Sequence, residues 1–198
     1  GIVHAAIYDA AVAVEGGYRP YAPTPRAPAD TSPEAAIATA AYGTLIGLQP
    51  QLGLSAGQLA FLDGDYAAYL GSVPDDAAKV NGISVGAQAA QPALARRVND
   101  GRGCSTTLQD LGQPAPGPGV WQPNPTGPVL GLCLPGMRPL ALRWASQFRP
   151  RPPFRLASRA YAADFAQVEE LGRDTSASRT PEQTAQARFW TDHDLRQW

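Results

Sequence analysis

Lysine occurs once in this chain, at Lys79, histidine twice, at His4 and His193, and cysteine twice, at Cys104 and Cys133. Two isolated cysteines, with neither histidine near them in sequence, do not supply the four ligands of a structural zinc site. They lie in an irregular stretch, where a bridge between them would close a long loop and add a few kcal/mol. Paired and free thiols both stay open at this stage. Net charge is -1, which excludes the broad positive field needed for nonspecific binding to nucleic acid. No apolar run approaches the roughly 20 residues that cross a bilayer core, and no charged-then-apolar leader is present. The chain therefore reads as soluble, without a membrane span. It opens on Gly1 and enters helical periodicity at once, so its compartment is open, with secretion and the periplasm included.

What the sequence has in quantity is apolar residues, 44%, together with 20 glycines and 20 prolines in 198 residues. That composition describes a globular chain with a large irregular part. Val3, Ile7, Ala10, Ala11 and Val14 follow helical spacing over 1–15, ending at Gly16 and Gly17. Thr31, Ser32, Pro33 and Glu34 read as a capping box with an early proline, starting a helix to about Leu48. Ser55 and Gln58 repeat the box, and Leu59, Leu62, Tyr66, Tyr69 and Leu70 form one face of a third helix. Val80, Ile83, Ala87, Ala90, Leu94 and Val98 mark a fourth, with Pro92 inside it. Residues 1–98 are thus expected to form an N-terminal four-helix bundle.

Residues 99–157 lose this period and carry eleven of the twenty prolines. A segment of that length is too long for an ordinary connection. Its aromatic residues Trp121, Trp144, Phe148 and Phe154 point to a Pro/Gly-rich segment that wraps another surface. Ser158 then caps a helix with an apolar face of Tyr161, Phe165, Val168 and Leu171, ended by Gly172. Thr180, Pro181, Glu182 and Gln183 box the start of a last helix through Phe189 and Trp190. No β-hairpin signal stands out, so the expected class is all-α.

Several ordered phrases resemble bacterial vanadium-dependent haloperoxidases of the type 2 phosphatidic acid phosphatase superfamily. The first is Val3-His4-Ala5-Ala6-Ile7-Tyr8-Asp9-Ala10 with Gly16-Gly17-Tyr18-Arg19-Pro20-Tyr21, similar to the family's first core helix and exit turn. Ala13 departs from it, since the family often has Asn there. Gly119-Val120-Trp121-Gln122-Pro123, Arg138-Pro139-Leu140-Ala141-Leu142 and Gln147-Phe148-Arg149-Pro150 follow. The last are Tyr161-Ala162-Ala163-Asp164-Phe165 and Ala187-Arg188-Phe189-Trp190. The resemblance implies two helical bundles. This chain would supply the first and, over 158–198, the helices entering an absent second bundle that carries the active site. It also implies vanadate as cofactor of the full-length protein, held by a Lys and Arg, a Pro-Ser-Gly-His phrase, and a Ser-Arg with a downstream Gly-x-His. None of these phrases is complete here. Ser158-Arg159 and Ser178-Arg179 supply only a dipeptide.

No catalytic, cofactor-binding or metal residue is therefore expected in this chain, which should be inactive alone. Gripping a multiply charged oxyanion needs converging donors and an imidazole. His4 is expected in a hydrogen-bonded structural role and His193 in a solvated loop. A Ser-His-Asp hydrolase is disfavoured, because no Gly-x-Ser-x-Gly elbow or parallel sheet is present. A phosphatase of the same superfamily and a noncatalytic helical interaction module remain as alternatives. Expected partners are the missing C-terminal bundle and a second copy of the chain.

Charge is unevenly placed. No acidic residue lies between Asp110 and Asp164, while Arg138, Arg143, Arg149, Arg151, Arg155 and Arg159 fall in or beside that stretch. These arginines form either an anion-attracting belt or partners for acidic faces such as Asp164, Glu169 and Glu170, or for the missing bundle. The second reading is preferred.

Overall fold

The computed structural model describes residues 1–102, 104, 107–108, 110, 112, 114–123, 129 and 131–191. Among these the protein is all-helical, with no strand. The helices are α1 (Ile2–Glu15), α2 (Pro33–Gly47), α3 (Gln49–Leu52), α4 (Ala56–Ser72), α5 (Ala77–Ala95), α6 (Arg159–Gly172) and α7 (Pro181–Thr191). Two compact units emerge, Gly1–Gln113 with Pro128–Phe148, and Pro114–Gly127 with Arg149–Trp198. His193 lies outside the described residues.

Helix starts obey local capping chemistry, which satisfies backbone N–H groups that have no intrahelical acceptor. Ser55 and Gln58 close a reciprocal box at α4. Thr180 and Gln183 do the same at α7, with bonds of 2.9 and 3.2 Å. Ser158 accepts from Tyr161 N at 3.1 Å at the start of α6. At α2 the cap is one-sided. Ser32 accepts from Ala35 N, but its hydroxyl donates to Glu34, which sits one position too early to reach back to the cap backbone. The sequence reading missed α3, a single turn that Pro50 begins and Gly53 ends at φ 62°.

In the first unit α1, α2 and α5 pack against one another, whereas α4 touches only α2 among the helices. The shared core is small: Ala6, Ala10 and Ala13 of α1, Ala36 and Ala40 of α2, and Val85, Ala89 and Ala93 of α5. This corrects the expected faces. On α1 the buried set is Ala6, Asp9, Ala10 and Ala13, and on α5 it is Gly82, Val85, Gly86, Ala89, Ala90 and Ala93. Val80 and Val98, placed on the apolar face by their period, are 64% and 62% exposed. Small side chains let the helix backbones approach closely, so many dispersion contacts replace the transfer of a few large side chains.

α4 is attached by polar and aromatic contacts. Tyr42 stacks on Tyr66 at 4.1 Å, Tyr66 OH shares a hydrogen bond with Thr39, and Tyr42 OH donates to Asp63 at 2.8 Å. No residue of α4 is fully buried, so its expected apolar face is only half covered.

Within the second unit, α6 and α7 carry no buried residue. Arg179 ties the two helices, donating to Leu171 O, Arg173 O and Asp174 O on one side and to Thr184 Oγ1 on the other. In 99–157 the described residues form one 3₁₀ turn, Leu134–Gly136, and otherwise no regular element. Its aromatic residues Trp121, Trp144, Phe148 and Phe154 are 53–76% exposed, so this chain by itself leaves those rings largely in solvent.

Candidate functional site

A carboxylate on the small-residue face of α1 anchors the best-defined polar cluster. Asp9 is fully buried, and its two oxygens accept from Tyr21 N at 2.6 Å and Ala22 N at 2.9 Å. Both are charge-assisted bonds, which offset the cost of burying the charge. Tyr8 packs on Tyr21 at 5.2 Å, and Ala27 N donates to Ala13 O. The helix and the turn leaving it are therefore one locked unit.

The end of α5 meets this unit through arginines. Arg96 donates to Tyr21 O at 2.8 Å. Next to it, Arg97 and Asp100 are buried and paired at 2.7 Å, with Arg102 3.7 Å from the same carboxylate oxygen. The chain reverses here through Asn99 at φ 53° and Gly101 at φ 90°. A Cβ on Gly101 would lie 2.7 Å from Gly136 O, so glycine is needed for both the turn and the close approach. The residues after the 3₁₀ turn complete the joint. Arg138 N donates to Asp100 O and its guanidinium to Val98 O, while Arg97 donates to Pro139 O. Cys104 and Cys133 are disulfide-bonded in the same unit, which settles the state the sequence left open.

The Arg97–Asp100 pair is held by charge more than by alignment. Asp100 Oδ2, Arg97 Nε and Arg102 Nη1 are buried with no hydrogen bond of acceptable geometry, although the ion-pair distances are short. Coulomb attraction depends on distance more than on angle, and a buried pair is poorly screened, so the pair holds without ideal alignment. Two voids adjoin the cluster. A cavity of about 60 Å³ is bounded by Asp9, Arg96, Arg97 and Arg138 together with apolar residues of α1 and α5. A cleft of about 740 Å³ is lined by Leu48, Leu52, Leu94, Arg97 and Arg102 among others. The arrangement can brace three chain segments and can present positive charge to a small, partly open pocket.

Asp9, Arg97 and Asp100 were not singled out in the sequence. A charged residue on the Ala6, Ala10 and Ala13 stripe was the available signal for Asp9. His4, expected to be hydrogen-bonded, is exposed, makes no hydrogen bond among the described residues, and lines neither void. For the arginine-rich stretch, the expected pairing with the acidic faces is not found among the described residues. Within the second unit Arg149, Arg151, Arg155 and Arg159 form no ion pair among the described residues, and Glu169 and Glu170 pair with Arg173; within the first, neither Arg138 nor Arg143 forms one. Among the described residues no group of three or more His, Cys, Asp or Glu could hold a metal ion. Among the described residues no helix is long and apolar enough to cross a membrane.

Three groups elsewhere have displaced proton affinities. Asp63, accepting from the Tyr42 phenol, raises the pKa of that phenol, and burial adds to the shift. Thr107 N–H and hydroxyl bonds lower the Asp110 pKa, and backbone and Ser32 bonds lower that of Glu34. None of the three lines the arginine-bounded cavity. Comparison with family models, curated proteins and solved structures returned no match to the chain.

Proposed function

We propose that this chain is the N-terminal helical scaffold of a vanadium-dependent haloperoxidase-like protein, whose full-length form oxidises halide with peroxide. The observation that carries the reading is the Asp9 clamp. The phrase that resembles the family's first helix and exit turn, from Val3 to Tyr21, is one physical unit whose helical and turn halves Asp9 holds together. Arg138 and Pro139, which open a second resembling phrase, lock onto the end of α5. Residues so arranged support a folding role.

The described residues do not fit vanadate themselves. Its ligation needs an imidazole among the oxyanion donors, and His4 faces neither void. The chemistry is therefore assigned to a second bundle. The exposed apolar residues of α6, Phe165 and Val168 at 59% and 71%, favour a partner surface there. That exposure also favours a second reading, a noncatalytic module that binds through these residues. The Cys104–Cys133 bridge supports an oxidising compartment, whether secreted or periplasmic.

The test pairs this 198-residue chain with the product of the complete natural gene in a bromide and peroxide assay with added vanadate. Vanadate-dependent bromination by the gene product alone is expected. A gene product that stays inactive with vanadate but hydrolyses phosphomonoesters would instead favour the phosphatase alternative. One with neither activity would leave the interaction module.

A further inference from the structure

The pocket of about 60 Å³ beside Asp9 is lined by three arginines, Arg96, Arg97 and Arg138. Asp9 is the carboxylate on its wall, and both its oxygens are engaged by Tyr21 and Ala22 N–H groups. Asp100 is taken by Arg97 and Arg102. Arg96 and Arg138 form no ion pair among the described residues and donate to the carbonyls of Tyr21 and Val98. Arg97, whose side chain is 7% exposed, leaves its Nε buried without a hydrogen-bond partner. Apolar side chains on the wall include Ile2 and Ala5 of α1, Ala93 of α5, and Leu140.

We propose that this cavity binds a short aliphatic monocarboxylate, its carboxylate on the guanidiniums and its alkyl end against Ile2, Ala5, Ala93 and Leu140. Arginine forks match a planar carboxylate with paired hydrogen bonds. Water alone would leave both the surplus charge and the apolar wall unmatched. Hydrated phosphate would meet the charge but lose its water against that same wall. At about 10–15 Å³ of space on this scale for each water-sized occupant, the pocket takes roughly four to six non-hydrogen atoms, the size of propionate. The site lies apart from the halide chemistry proposed above, because no imidazole faces it.

Isothermal titration of the 198-residue chain at fixed ionic strength tests the assignment, with propionate, the neutral isostere propionamide, and inorganic phosphate as probes. Saturable propionate binding is expected, with no detectable propionamide binding and weaker phosphate binding. R138Q and R96Q should each weaken propionate about tenfold, the loss of one charge-assisted hydrogen bond, with far-UV circular dichroism unchanged. K79Q, at the opposite end of α5, should bind as the parent does. If R138Q fails to fold, R96Q decides, because Arg96 is exposed and bonds only Tyr21 O. Absence of saturable propionate binding, equal binding of propionamide, tighter binding of phosphate, or undiminished binding by R96Q would each overturn the proposal.

Discussion

Adding one methyl group at Gly86 should separate α5 from α2. A Cβ built there would stand 2.6 Å from Thr39 Cβ and 2.9 Å from Ala40 N, and it also meets Ala36 O. Carbon pairs settle at about 3.5–4.0 Å, so the helices must part by roughly 1 Å. The obstacles are mostly backbone, and no flexible side-chain end can yield. Overpacking of this kind costs about 1–3 kcal/mol, and the upper end applies because Ala89, Ala90 and Ala93 lose contact along the same seam. Alanine in a helix returns about 1 kcal/mol. G86A should therefore be destabilised by about 2 kcal/mol, lowering Tm by about 4–8 °C. Gly64 in α4 is the control, since nothing lies within 4 Å of a Cβ added there. G64A should gain about 1 kcal/mol. Urea unfolding followed by far-UV circular dichroism reads both. If G86A unfolds at or above the parent midpoint, or if the two variants shift in the same direction, the close-packed seam is wrong.

Asp9→Asn keeps the shape but replaces an acceptor oxygen by a donor, leaving a buried backbone N–H of Tyr21 or Ala22 unpaired. A loss of about 2 kcal/mol is expected in the same unfolding assay. The Cys104–Cys133 bridge spans a sequence separation of 29, and its reduction should lower stability by about 3 kcal/mol, read by unfolding with and without reductant. Tyr42 should ionise above the ordinary tyrosine range, visible as delayed phenolate absorbance relative to Y42F, and D63N should return it toward normal. Its folded pKa is raised, so its support for the α2–α4 contact is present below the unfolded value. That support is lost as pH rises through the folded value.

Helix positions were legible because capping is local. Ser55 with Gln58, Ser158, and Thr180 with Gln183 each announced a helix that the structure contains. Helix faces were not, for a physical reason. The period search follows bulk, but on α1 and α5 the packed side is the one with least bulk, where Gly82, Gly86 and alanines admit a neighbouring backbone. Val80 and Val98 kept the helical period and stayed in solvent. Asp9 was hidden for the same cause, since it belongs to the alanine side. The Arg97–Asp100–Arg138 joint depends on residues 38 positions apart meeting after two reversals, at Asn99 and Gly101, which no local pattern encodes.

Vanadate-dependent bromination by the purified 198-residue chain probes the scaffold assignment most directly. No rate above that of a vanadate-free sample with bromide and peroxide present is expected. Turnover that requires vanadate and disappears in His4→Gln would contradict it.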